Sequence, residues 1–119
     1  MGASGRITTH VLDISHGKPA MGMNVQLWKR GEDLTPVLLK KDRINSDGRL
    51  DEPLLAGEEL AAGVYEIVFE AGRYFQEVRG VEPLLFDLIP IRFRVDDEQS
   101  HFHVPLLVAP GGYSTYRGS

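Results

Sequence analysis

Apolar and polar residues alternate with a period of two along much of the chain, the spacing at which side chains fall on opposite faces of a β-strand. In residues 90–95, Ile91, Phe93 and Val95 face one way while Arg92 and Arg94, followed by Asp96, face the other, so a half-buried strand is predicted there. Residues 63–71 set Tyr65, Ile67 and Phe69 against Val64, Glu66, Val68 and Glu70. Residues 101–109 set Phe102, Val104, Leu106 and Val108 opposite His101, His103 and Leu107. Pro105 lacks a backbone N–H, so this strand is predicted to lie at an edge or to be irregular at that point.

Two earlier runs, 6–14 and 23–30, also read as strands, and Gly17, Pro19 and Gly22 mark a loop between them. A further strand is predicted over 35–45, although Leu38 and Leu39 break its alternation. Asp47-Gly48 predicts a tight turn, because these residues accept positive φ. Residues 58–63 read as one helical turn or a loop. The segment 72–80 predicts a helix with Tyr74, Phe75 and Val78 on one face and Gly80 as its stop. At about two turns it needs packing against a sheet to persist. The last residues alternate again, Tyr113, Thr115 and Arg117 against Ser114, Tyr116 and Gly118, as a terminal strand would. Short strands, regularly spaced turns and one short helix imply an all-β sandwich in a single domain, 1–119.

Composition narrows the function classes. The chain has 119 residues, 42% apolar and 25% charged, near ordinary globular values. The net charge of -4 is spread along the chain with no Lys/Arg block, which argues against a nucleic-acid partner. No apolar run approaches the ~20 residues that span a bilayer, and no basic-then-apolar leader opens the sequence. There is no cysteine, which removes disulfides, thiolate zinc sites and thiol nucleophiles, and fits a reducing, cytoplasmic location.

The residues that could carry chemistry are few. His101 and His103, two apart, project from one strand face and could bind a metal with His10 as a third ligand, or could simply form a polar surface. His16 lies in a Gly/Pro loop and reads as surface. Arg49 follows the tight turn, where its planar fork of donors could hold a carboxylate, an imide or an oxyanion, or could be solvated. Asp47, Asp51 and Glu52 read as turn chemistry. A terminal strand explains Tyr113 and Thr115 but not Arg117, Gly118 and Ser119. No phosphate loop, nucleophile elbow, zinc-protease helix or dinucleotide fingerprint is present.

Taken together, TTHVLDISHGKPA, NSDGR, HFHVPLL and YSTYRGS resemble the 5-hydroxyisourate hydrolases, the transthyretin-related proteins of urate breakdown, from about Ile7 to Ser119. The terminal Tyr-Arg-Gly-Ser is the most specific element, since it separates these hydrolases from transthyretin, a thyroid-hormone carrier of the same fold. The resemblance implies a transthyretin-like β-sandwich of two four-stranded sheets with one short helix. It implies a homotetramer with active sites at the dimer–dimer interface, lined by the C-terminal tail. It also implies hydrolysis of 5-hydroxyisourate to 2-oxo-4-hydroxy-4-carboxy-5-ureidoimidazoline without metal or cofactor. By motif, His10, Arg49, His103 and Ser119 correspond to catalytic residues, and His101, Tyr116, Arg117 and Gly118 to substrate-binding ones. Two other readings stay open: a carrier, which expects an apolar channel, and a zinc hydrolase built on His10, His101 and His103.

Overall fold

Each strongly alternating segment contains one or two strands in the computed structural model, which describes residues 4–33, 35–82 and 85–119. The strands are β1 (Arg6–Thr8), β2 (Val11–Asp13), β3 (Lys18–Pro19), β4 (Asn24–Arg30), β5 (Pro36–Arg43) and β6 (Leu55–Ala56). They continue as β7 (Gly63–Glu70), β8 (Leu88–Val95), β9 (His101–His103), β10 (Leu106–Ala109) and β11 (Gly112–Thr115). One helix, α1 (Ala71–Arg79), follows β7, and a short 3₁₀ turn occupies Gly57–Glu59 in the region predicted as a helical turn or loop.

Strands β5-β4-β7-β8 form one antiparallel four-stranded sheet. Its inward residues, among them Val25, Leu27, Tyr65, Ile67, Phe69, Ile89 and Val95, are buried as the alternation requires. They share one core with Ile7, Val11, Phe102, Val104, Leu106 and Val108 from the opposite layer. Each such side chain contributes ~1.5–3 kcal/mol on burial, so this contact between layers is the main cohesion of the sandwich. The opposite layer departs from a single four-stranded sheet. It is divided into a three-stranded ladder, β6-β1-β9, and a four-stranded one, β11-β10-β2-β3.

Several local expectations are corrected. The predicted strand 6–14 is two strands, β1 and β2, with Thr9 and His10 between them, and the predicted loop 15–22 contains the two-residue β3. The broken alternation of β5 has a structural cause: Leu27 pairs with Lys40 but Trp28 with Leu38, so Leu39 is the extra residue of a β-bulge. β5 is also an edge strand, and Val37, Leu38 and Leu39 are exposed. On α1, Tyr74 and Phe75 are buried together with Ala71 and Gly72, whereas Val78 sits near Gly22 and is 47% exposed. Gly80 ends the helix as predicted, at φ 66°, and Val81 N–H closes on the Phe75 carbonyl at 2.9 Å.

α1 is fastened to β2 by one buried carboxylate. Asp13 accepts bonds from the Tyr74 hydroxyl (2.9 Å), Arg79 Nε (3.2 Å), the Ser15 hydroxyl (2.5 Å) and His16 Nδ1 (2.8 Å). Burial alone would raise this carboxyl; the hydrogen bonds and His16 outweigh it, holding Asp13 below the ordinary carboxylate value. A lowered native value means that this stabilisation is present in full above the ordinary carboxylate pKa of ~3.9 and is lost as pH falls through the native value. Asp13→Ala leaves Tyr74 and Arg79 facing a buried gap and is expected to cost about 3 kcal/mol in denaturant unfolding. It should also flatten the acid limb of the stability curve, and an unchanged midpoint would show that the carboxylate does not hold the helix.

Candidate active site

The site begins at the bend shared by two neighbouring strands. β1 pairs in parallel with β9 and β2 with β10, and between these ladders Thr9 and His10 lie beside Val104 and Pro105. Val104 N–H donates to the Thr8 carbonyl at 2.9 Å and Leu106 N–H to the His10 carbonyl at 2.8 Å, so this pairing runs on through the bend. On its other side the strand faces the C-terminal segment, and there Pro105 has no N–H to offer. The ladder to β11 accordingly starts at Leu106, opposite Thr115, and resumes only at His103, opposite Gly118. The register is the same on both sides of this gap, so Tyr116 and Arg117 stand opposite Pro105 and Val104. Gly118 N–H then returns to the His103 carbonyl at 2.8 Å, which brings Ser119 beside the histidines.

The tight turn supplies the opposite wall. Asn45 Oδ1 accepts Asp47 N–H (2.8 Å) and Arg49 N–H (3.1 Å), and Gly48 N–H closes on the Asn45 carbonyl at 3.0 Å. Gly48 adopts φ 83°, and its carbonyl accepts Val11 N–H at 2.8 Å, which anchors the turn next to His10. A Cβ on Gly48 would lie 2.7 Å from His10 Cδ2, and one on Gly118 would collide with Cδ2 of His103. Both glycines therefore make room for an imidazole, and Gly48 supplies a positive φ as well.

Between these walls lies a cleft of about 340 Å³ lined by Thr8, Arg49, His101, His103, Ser119 and Arg6, with Asp51 and Glu52 at the segment after the turn. The Thr8 hydroxyl is 2.6 Å from His101 Nε2 and 2.8 Å from His103 Nδ1. No protein group among the described residues bonds His103 Nε2. Burial, then the positive charge of Arg49, then His101 and His10, hold His103 below the usual imidazole value. Burial and Arg49 do the same for His10, against the Asp47 carbonyl, which favours its protonated form. His101 is lowered by burial, Arg6 and Arg117. Neutral imidazoles beside a fixed guanidinium can accept a proton and stabilise a developing anion.

The residues singled out in the sequence do not all meet. Arg49, His101, His103 and Ser119 share the cleft, and His10 stands behind it, close enough to Arg49 and His103 for their charges to interact. Gly118 packs on His103. Tyr116 and Arg117 point elsewhere, into a second cleft of about 300 Å³ with Phe102, Arg92 and Arg94. The Arg117 guanidinium lies 4.6 Å from the centre of the Phe102 ring and donates to the His101 carbonyl at 3.3 Å. His16 is an exposed loop residue bonded to Asp13. Among the described residues, no three His, Cys, Asp or Glu side chains converge in a metal-binding group. Thr8 was not singled out from sequence. It shares a strand face with His10 by spacing, but only the β1–β9 register places it opposite His103.

Known proteins of similar sequence and structure share this fold. A family model described as HIUase/Transthyretin family matches residues 7–118. The 5-hydroxyisourate hydrolase of Halalkalibacterium halodurans is 55% identical over 98% of this chain and 99% of its own. The structure of Klebsiella pneumoniae 5-hydroxyisourate hydrolase superposes with a TM-score of 0.80 at 39% identity, covering 97% of this chain and 99% of that one. A crystal structure of (S)-allantoin synthase superposes with a TM-score of 0.90 at 41% identity over 98% of this chain, which spans only 44% of that longer protein.

Gly118→Ala tests the packing of the tail on the site. The added methyl is expected to push the His103 ring away from Thr8, displacing the His103 ring-proton resonances in NMR and leaving those of His16 in place. It should cost about 1–3 kcal/mol of stability, as overpacking does. Unmoved His103 resonances would mean that the tail does not hold the ring.

Proposed function

Since the chain belongs to the HIUase/transthyretin family, we propose that it is a hydrolase that opens the six-membered ring of 5-hydroxyisourate, giving 2-oxo-4-hydroxy-4-carboxy-5-ureidoimidazoline. The observation that carries this reading is the single cleft lined by Arg49, His101, His103 and Ser119, with His103 Nε2 free of any protein partner among the described residues. The named relatives, 5-hydroxyisourate hydrolases matched over nearly their whole length, point to the same activity.

The chemistry requires a base for water and a group to hold the oxygen that becomes negative. His103, neutral near pH 7, takes a proton from water as its oxygen adds to a ring carbonyl carbon. Arg49 orients the substrate and stabilises the oxyanion. His10, behind them, assists proton transfer, and the proton returns to the ring nitrogen as its bond to that carbon breaks. Ser119, Gly118, Arg117, Tyr116 and His101 shape the pocket and contact polar edges of the substrate. The polar lining favours a polar substrate over the apolar ligand of a carrier. No metal or cofactor enters this scheme.

The single domain, 1–119, acts in this proposal as the subunit of a cytoplasmic homotetramer. Arg49, Tyr116, Arg117 and Ser119 are all exposed in the isolated chain. A site completed at an interface between subunits would cover them and bring Tyr116 and Arg117 of the tail into use. Light scattering is expected to give four times the 13.2 kDa chain mass, and a monomer with full activity would remove the interface from the proposal.

The decisive assay generates 5-hydroxyisourate in place with urate oxidase and follows its absorbance decay with and without this protein. Acceleration is expected, with an acid limb below ~6.5 because burial and Arg49 lower His103. His103→Ala should lose about 10² to 10⁴ in rate while remaining folded. Decay at the spontaneous rate with the parent protein would overturn the hydrolase reading, and full activity in His103→Ala would overturn the base assignment.

A further inference from the structure

Thr8 carries two hydrogen bonds in the cleft that hydrolysis by His103, His10 and Arg49 does not account for. Its neighbour Thr9 is buried and donates to the Val104 carbonyl at 2.7 Å, a purely architectural bond across the bend. Thr8 differs, because both partners of its hydroxyl are titratable rings of the cleft, His101 Nε2 at 2.6 Å and His103 Nδ1 at 2.8 Å. The strand register puts the three on one face: Thr8 lies directly opposite His103, and His101 is two residues earlier, opposite Arg6.

A hydroxyl has one proton to give and two lone pairs to receive. Guanidinium groups face both rings, Arg6 from β1 and Arg117 from the tail near His101 and Arg49 from the turn near His103, where the His10 imidazole from the bend also lies. Asp51 and Glu52 line the same cleft. Between two neutral imidazoles Thr8 can donate to only one, and the other must donate its own N–H to the Thr8 oxygen. If Thr8 donates to His103 Nδ1, the His103 proton sits on Nε2 and no lone pair faces the cleft. If His103 Nδ1–H donates to Thr8 and Thr8 donates to His101 Nε2, the His103 Nε2 lone pair is free. An arrangement with both rings donating would leave the Thr8 proton without an acceptor among the described residues.

Resting on the assignment of His103 as the base, we propose that Thr8 is a positioning residue which, with His101 accepting its proton, holds His103 as the Nδ1–H tautomer with Nε2 open to water. His101 thereby acts through Thr8 and His103 and needs no contact with the reacting atoms. When the water oxygen bonds to the carbonyl carbon, its proton goes to His103 Nε2. The resulting imidazolium is stabilised through Nδ1–H on the Thr8 oxygen. When the carbon–nitrogen bond breaks, the same proton passes from Nε2 to the ring nitrogen, and His103 is restored.

The test compares Thr8→Val, which keeps the shape and removes the hydroxyl, with Thr8→Ser, which keeps the hydroxyl. In the urate-oxidase-coupled assay, Thr8→Val is expected to lose on the order of 10- to 100-fold in kcat, the cost of an unheld imidazole, with KM within about twofold. Thr8→Ser should stay within about threefold of the parent. The acid limb of Thr8→Val should move to lower pH, because the His103 imidazolium loses an acceptor; a merely structural role would leave the limb in place. His101→Phe, at the far end of the chain of bonds, should lower kcat several-fold, on the order of a lost orienting bond, beyond any rise in KM from its lost substrate contact, and gives an independent reading if Thr8→Val is too unstable to assay. Parental kcat in Thr8→Val or in His101→Phe, or an acid limb that moves upward, would overturn the proposal. If His103→Ala is inactive while Thr8→Val is normal, only the positioning role fails; if His103→Ala is fully active, the base assignment beneath it fails.

Discussion

Pro105 has no backbone proton to donate, and the geometry of the cleft follows from that gap. Its neighbours Val104 and Leu106 keep the strand paired to Thr8 and His10 on one side. On the other side the ladder to the C-terminal segment breaks for two residues and rejoins in the same register at His103 and Gly118. Tyr116 and Arg117 turn toward the second cleft across this gap, while Ser119 is carried back to the histidines. A residue able to donate at 105 would favour an unbroken edge strand, whose tail would lie flat along β9.

The electrostatics divide the molecule into two regimes. Where carboxylates are buried they are closely matched: Asp13 meets Tyr74, Arg79 and His16, and Glu66 bridges Arg30 at 3.0 Å and Arg92 at 3.0 Å across the four-stranded sheet. Removing either partner from such a site is costly, so these groups serve architecture. Around the histidines the pattern is reversed. Arg6, Arg49 and Arg117 make no salt bridge among the described residues, and their positive charge falls on three imidazoles instead. The histidines are thus held neutral, and Arg49 keeps its donors for a developing oxyanion, the condition an oxyanion-forming hydrolysis requires.

Much of the fold was legible because strand alternation and turn chemistry are local. The faces of β7, β8 and β9 followed from period two, and Gly80 ended α1 where its left-handed backbone was needed. The difficulties arose where a partner strand set the answer. Leu38 and Leu39 look like a flaw in the pattern of β5 until the pairing with Leu27 and Trp28 identifies a bulge. Val78 has helical spacing with Tyr74 and Phe75, yet the burial of α1 is confined to its first turn and a half.

For the site, the sequence by itself determined the chemical vocabulary: two imidazoles on one strand face, an arginine after a glycine turn, and a tail whose resemblance named a reaction. It could also place Pro105 as an irregularity, because a missing N–H is a property of the residue. Only the tertiary structure decided which groups act on one another. Parallel register put Thr8 between His101 and His103, the carbonyl of Gly48 tied the turn to Val11, and the resumed ladder brought Ser119 into the cleft while Arg117 settled on Phe102. These are contacts between segments up to a hundred residues apart. Their geometry is set by strand pairing and core packing, and no local period in the chain encodes it.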